Sequence, residues 1–206
     1  MTALGAWLFR WRDYTPLPLL AVFLVFARRD LRMFVAGCCT MAAGEAVRFW
    51  CQRYIGGASR TRGSSPGAEL VNGGPYSMVR NPLYVANLML TLGTALLSGR
   101  PLLVLVAAAV FLAQYIPIVR WEESRLTVQF GDAYADYQAA VPRWIPRSGP
   151  RPDRAGADKP SVGRVIQIER RSLLALVVVV VAFAVRVNLA RVVGSGAEVM
   201  AVLALG

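Results

Sequence analysis

The stretch GPYSMVRNPLYVAN, residues 74–87, decides how this chain is read. A turn-forming Gly-Pro pair leads through Arg80 to an Asn81-Pro82 step, and an apolar run begins at once. Asn is a favoured N-cap and Pro a favoured first helical residue, so the step predicts a helix opening at Pro82. The run continues uncharged to Leu97, where SGRP at 98–101 interrupts it, and a second apolar run follows over 102–119. Two such runs joined by a tight turn form an antiparallel hairpin, so its two free ends lie side by side. Arg80, Asn81 and Tyr84 at one end thereby converge with Glu122 and Glu123 at the other. Tyr84 and Asn87, polar groups just inside an apolar helix, are expected to face protein or a cavity. The helix start itself offers N–H groups and a positive dipole end to an anion.

The rest of the chain fits around this hairpin as a membrane protein. Hydrophobic residues make up 56% of its 206 residues and charged ones 17%, and the mean hydropathy is +0.46. Apolar segments over 16–27, 31–50, 82–97, 102–119 and 173–193 predict an all-α, polytopic integral membrane bundle of about five transmembrane helices. Trp7, Trp11 and Tyr14 with Arg10 and Arg12 read as an interfacial anchor, and no small-residue cleavage site follows the first apolar run. Glu45 and Arg48, three apart, can pair on one helix face. Residues 52–80 form a polar stretch, as an ordered functional loop or a linker, and 147–164 read as a mobile linker. Between them, 121–147 carries Leu126, Phe130, Tyr134 and Tyr137 at helical spacing. This predicts an interfacial amphipathic helix, or a pair broken at Gly131, ended by Pro142 and Pro146.

Charge and composition narrow the function. The net charge is +11, but the basic residues sit in loops beside apolar runs, which fits membrane orientation better than nucleic-acid binding. With the N-terminus inside, only Arg28, Arg29, Arg32, Arg100, Arg186 and Arg191 of the 23 basic residues fall outside. The 74–87 and Glu122 segments then share the cytoplasmic face of an inner or plasma membrane. The chain has no histidine, so His-based zinc sites, His general bases and Ser-His or Cys-His pairs are excluded. Three cysteines, two of them adjacent, make no disulfide framework.

GPYSMVRNPLY, then Glu122-Glu123, FGDAYADY and VPRWIP in that order, resemble the isoprenylcysteine carboxyl methyltransferase and phospholipid methyltransferase family of integral membrane enzymes. The likeness spans about 73–146 of a single membrane domain, leaving 147–206 as a C-terminal linker and extra helix. It implies S-adenosylmethionine as cofactor, with Tyr76, Asn81, Pro82, Leu83, Tyr84 and Glu122 at the cofactor positions. Arg80 matches the motif arginine, and Arg80, Arg120 and Asn87 are candidates for holding the substrate. Arg80, Tyr84 and Glu123 are candidates for the chemistry. Asn81 stands where the family has His; it can hydrogen-bond but not exchange a proton as His does. Ile118 stands where some members have an arginine one turn before the glutamate pair, a place Arg120 could serve.

The resemblance implies methyl transfer to a lipophilic acceptor, an isoprenylcysteine-like carboxylate or a lipid headgroup. A carboxylate acceptor needs no general base, whereas an amine or hydroxyl does, and Tyr84 or Glu123 is then the candidate. The alternatives are an NADPH-dependent membrane reductase of the steroid-reductase type and a non-catalytic membrane binding protein.

Overall fold

The computed structural model describes residues 2–55, 70–146 and 159–203, with side chains between 3 and 189. The middle of the expected polar stretch and most of the expected 147–164 linker lie outside the described residues, as does the side chain of Arg191. Among the described residues the elements are eight α-helices: α1 (Thr2–Trp11), α2 (Pro16–Val25), α3 (Leu31–Ile55), α4 (Pro75–Met78), α5 (Pro82–Leu97), α6 (Pro101–Phe130), α7 (Asp132–Ala140) and α8 (Val162–Leu203).

The expected hairpin is α5 and α6. Its turn is made by Ser98, Gly99 and Arg100, with Gly99 at φ +67°. That turn is fastened to the α2–α3 turn. The Arg28 backbone N–H donates to Ser98 O at 2.9 Å, Arg28 Nε donates to Gly99 O at 2.7 Å, and Arg100 Nε donates to Phe26 O at 2.6 Å. Two polar turns thus satisfy each other's carbonyls at one end of the bundle.

Helix α3 lies against α5 at a distance only glycine permits. A Cβ added at Gly37 would stand 2.7 Å from Gly93 O, and one at Gly93 would stand 2.5 Å from Met41 Cγ. Small residues that let helix backbones touch are a recurrent packing device inside membranes. Phe23, Met41, Ala95, Leu97, Ala107 and Phe183 fill the core around this contact. A second core gathers Phe9, Tyr84, Phe111, Tyr115, Ile118 and Val119 where α1 crosses the hairpin.

Two elements depart from expectation. The fourth apolar run does not end at Val119: α6 continues through Pro117 to Phe130 as one 30-residue helix. Gly131, at φ +53°, does break the chain before α7. The aromatic face of α7 meets protein. Tyr134 and Tyr137 are buried with Val141 against Leu70, Leu126 and Phe130. The last helix begins well before residue 173, at Val162.

The count of five crossings is not reached by length and composition. Among the described residues, only Pro101–Phe130 and Val162–Leu189 are long and apolar enough. At 1.5 Å per residue, α2 with 10 residues and α5 with 16 reach about 15 and 24 Å, against a hydrocarbon core of about 30 Å. Helix α3 has the length, with 25 residues, but carries Arg32, Glu45, Arg48 and Arg53.

Gly93→Leu is expected to force α3 and α5 apart and to cost about 1–3 kcal/mol. In thermal unfolding of the detergent-purified protein its midpoint should fall by roughly 5 °C, while Ala109→Leu on the exposed face of α6 should leave the midpoint unchanged. A second expectation concerns pH. Burial pushes the Tyr134 phenol up to about 12, and Tyr137 higher still. The unfolded chain loses these protons near its ordinary value of about 10, before the folded one does. Stability is therefore constant below that pH and falls as pH rises toward 12. Phenolate absorbance from these two residues should appear together with unfolding.

Candidate active site

Chain entry to α5 is built by backbone bonds. Gly74 takes φ +55°, and a Cβ there would collide with the Tyr54 ring at 2.2 Å. Ser77 Oγ donates to Gly74 O at 2.7 Å, and Tyr137 Oη donates to Tyr76 O at 2.7 Å. The Arg80 N–H donates to Pro142 O at 2.8 Å. Segment 141–146 thus lies alongside 73–81 and fixes where α5 begins. Burial pushes the Tyr76 phenol well above its ordinary value, so it stays neutral.

Asn81 occupies the N-cap position, but its side chain makes no cap bond. Its Nδ2 donates instead to Glu123 Oε1 at 3.3 Å and to Arg143 O at 3.4 Å. The N-cap expectation therefore holds for the position and fails for the side chain. The amide is oriented by its Nδ2, which donates to a buried carboxylate, so its oxygen does not accept the cap bond.

Glu122 and Glu123 are successive residues of α6 and so project about 100° apart. They serve two different groups. Glu123, 4% exposed, accepts from Arg143 Nη2 at 2.7 Å and Nε at 3.0 Å. It also pairs with Arg80 Nη1 at 3.3 Å. The same contact raises the Arg143 pKa, holding the guanidinium charged. Glu122 Oε2 accepts the Tyr84 hydroxyl proton at 2.6 Å. Arg12, the residue just past α1, reaches the same pair, with Nη1 donating to Tyr84 Oη at 3.3 Å and lying 3.9 Å from Glu122 Oε1.

Arg80, Asn81, Tyr84, Glu122 and Glu123 are thus brought together at the free ends of the hairpin. Pro82 is buried beside them and Leu83 half-buried. Arg120 stands on the exposed face of α6, and the cation at Glu122 is Arg12. Asn87 lies on another side of α5. Its Oδ1 accepts from Arg48 Nη1 at 2.5 Å, and Arg48 Nη2 donates to Glu169 of α8 at 2.9 Å. Glu45 lies 3.6 Å from Arg48, as the i, i+3 spacing predicts, and accepts from Ser172 at 3.0 Å.

Four residues of these networks escape sequence reasoning: Arg12, Arg48 as a partner of Asn87, Arg143 and Glu169. Arg143 stands inside the VPRWIP motif and Glu169 is a lone acid ahead of an apolar run, both usable signals. Nothing in WRDY marks Arg12 as inward-facing.

The hairpin that carries this corner lies within the part of the chain that is similar to known proteins. Residues 32–133 match the phospholipid methyltransferase family model. The nickel-cobalt-cadmium resistance protein NccN of Alcaligenes xylosoxydans xylosoxydans is 29% identical over 142 residues, 66% of this chain and 63% of that protein. The cobalt-zinc-cadmium resistance protein CzcN of Cupriavidus metallidurans is 34% identical over 100 residues, 48% of this chain and 43% of its own. The protein-S-isoprenylcysteine O-methyltransferase of Schizosaccharomyces pombe is 36% identical over 77 residues, 37% of this chain and 33% of that enzyme. The chain spans less than two thirds of the length of each of these relatives. From α3 to the first residues of α7 the chain thus matches a phospholipid methyltransferase family domain, and over 77 residues it is similar to an isoprenylcysteine methyltransferase.

Proposed function

We propose that this protein is an integral membrane methyltransferase that uses S-adenosylmethionine to methylate a lipophilic acceptor. One observation carries the reading. The family-matched hairpin gathers Tyr84 and Glu122 on one side of the α5 start and Arg80 and Asn81 on the other, at a single membrane-proximal corner.

The residues present suit such a cofactor. Arg80 Nε is buried without a hydrogen-bond partner, a donor available to a carboxylate. The α5 N-terminus adds the Leu83 N–H, and the dipole favours an anion there. Glu122 can accept from ribose hydroxyls or an ammonium, and Tyr76 and Tyr84 supply aromatic walls. When bound, the cofactor supplies a sulfonium methyl group that needs no further activation. The protein's part is then to align the acceptor with that methyl and to exclude water. A carboxylate acceptor would be methylated with no proton to move. An amine acceptor would lose a proton, and the Tyr84–Glu122 pair offers the route, since both oxygens of Glu123 already face cations. Glu123 then anchors Arg80 and Asn81. Asn87 and Arg120 lie to the side of this arrangement, and any contact they make is with the outer parts of the acceptor.

The membrane placement belongs to the same proposal. Leu102, Leu105, Val177 and Val178 are more than half exposed on α6 and α8, as lipid-facing residues are. Charge asymmetry orients the corner toward the cytoplasm. The shorter helices cross with local thinning and snorkelling, giving five crossings of an inner or plasma membrane. The acceptor arrives laterally from lipid. Two relatives carry metal names, and among the described residues there is no group of three or more metal-ligating side chains.

Titration calorimetry with S-adenosylmethionine and with NADPH tests the reading. Binding of the first alone is expected, and binding of NADPH alone would replace the proposal with a reductase. Glu122→Gln should weaken S-adenosylmethionine roughly tenfold or more, the scale of one hydrogen bond to a charged group. Glu123→Gln should act mainly on the unfolding midpoint. Equal effects of the two on affinity remove Glu122 from the cofactor site. Lipid mass spectrometry of cells with and without the protein would reveal the acceptor as a species shifted by one methyl.

A further inference from the structure

The domain match begins at residue 32, yet the Tyr84–Glu122 pair is completed by a residue twenty positions earlier. We infer that Arg12 is a positioning residue of the site, acting through Glu122 and Tyr84, so that helix α1 is part of the catalytic apparatus. The inference rests on the methyltransferase reading above.

Four contacts make α1 a rigid mount for this side chain. A Cβ at Gly5 would stand 2.5 Å from Pro117 O and from Trp121 Cβ, so α1 touches the α6 backbone directly. The Phe9 ring packs on Trp121 with centroids 4.9 Å apart. The Arg12 guanidinium lies 3.9 Å over the Phe9 ring, which fixes its plane. Beyond the helix end, Thr15 and Gln114 join α1's exit to α6 through bonds of 2.7 and 3.0 Å. Leu4, Trp7 and Trp11 meanwhile turn outward, each about half exposed. One face of α1 therefore meets the surroundings while Arg12 turns to the hairpin.

The charge inventory explains why the site needs this residue. Successive carboxylates at 122 and 123 stand at one apolar corner. Glu123 has Arg80 and Arg143. Glu122 has the neutral Tyr84 phenol and Arg12 against it, with Arg125 of the same helix as a weaker second cation. Without Arg12 the half-buried carboxylate keeps only the phenol and that weaker cation, and loses much of its charge stabilisation. The guanidinium reaches both partners, so it holds the Glu122 carboxylate and the Tyr84 hydroxyl in one orientation. Ile118, fully buried against Phe9 and Phe111, fills the adjacent α6 position with packing. The stronger cation for Glu122 comes from outside α6.

The test uses Arg12→Gln, Arg12→Lys, Glu122→Gln and the Arg12→Gln/Glu122→Gln double variant in the full-length, detergent-purified protein. S-adenosylmethionine affinity is read by calorimetry and folding by thermal unfolding without ligand. Arg12→Gln is expected to weaken binding about tenfold, Arg12→Lys to recover most of that loss, and Arg12→Gln to add less than twofold in the Glu122→Gln background. Additive losses, or no recovery with lysine, reduce Arg12 to a structural residue and overturn the inference. Arg12→Gln protein that binds as wild type overturns it as well. Should the wild type bind no S-adenosylmethionine, the proposed function fails instead. The unfolding midpoints of the same four variants then still decide the geometric claim: a non-additive Arg12–Glu122 pair supports it, and additive shifts refute it.

Discussion

The carboxylate of Glu123 is the constraint on which this corner of the fold depends. Only 5% of its side chain is exposed, so its ionised form would be costly without counter-charges. Arg143 and Arg80 supply them from two separate stretches of chain, and the neutral Asn81 amide beside Arg80 adds a hydrogen bond. Arg143 follows α7, Arg80 ends the 73–80 entry segment, and Asn81 precedes α5. One buried charge on α6 therefore ties the start of α5 to the segment that returns after α7. Stripped of one cation, such a pair typically loses about 3–5 kcal/mol. The partial exposure of Arg143 reduces that figure here.

The opposite end of the hairpin is held by different physics. There the backbone carbonyls of the 98–100 turn meet the two arginine-bearing turns, and just inside it the α3–α5 contact closes to glycine distance. Dense packing leaves α5 no room to shift along its axis. The polar end inherits that rigidity, and Tyr84, one turn in, stays fixed relative to Glu122. Rigid elements beneath polar groups are what an aligned two-reactant site requires.

The hairpin was legible because its signals are local. Asn81-Pro82 opens α5 and SGRP closes it, and antiparallel geometry alone brings Arg80 to the glutamate pair. The Glu45–Arg48 spacing was legible for the same reason. The N-cap bond was not, because a local rule lost to a tertiary partner: Asn81 turned to Glu123, forty-two residues away. The end of α6 was misjudged because polarity at 120–125 resembles a membrane exit. A helix can nevertheless run on into water without a break until Gly131. Asn87 was drawn toward Arg80 by proximity in sequence, although seven residues along a helix is about two turns. Its partner Arg48 comes from α3. Arg12 left almost no trace, because a single arginine near an apolar segment reads equally as a snorkelling anchor.

Three of the four residues that escaped sequence reasoning share one property that bears on the family. Arg12, Arg143 and Glu169 lie outside the 32–133 match, just past α1, after α7 and on α8, and each supplies charge to a polar group inside it. Arg143 neutralises Glu123 and Arg12 faces Glu122. Glu169 balances Arg48, which in turn holds Asn87. Within the matched segment, the described part of the hairpin's polar face is left with charges that the segment balances only in part. Buried charge must be neutralised somewhere, so the flanking helices are constrained in chemistry even where they are free in sequence. Under the proposed methyl transfer, a different acceptor would be accommodated by changing the flanks, because they carry part of the counter-charge.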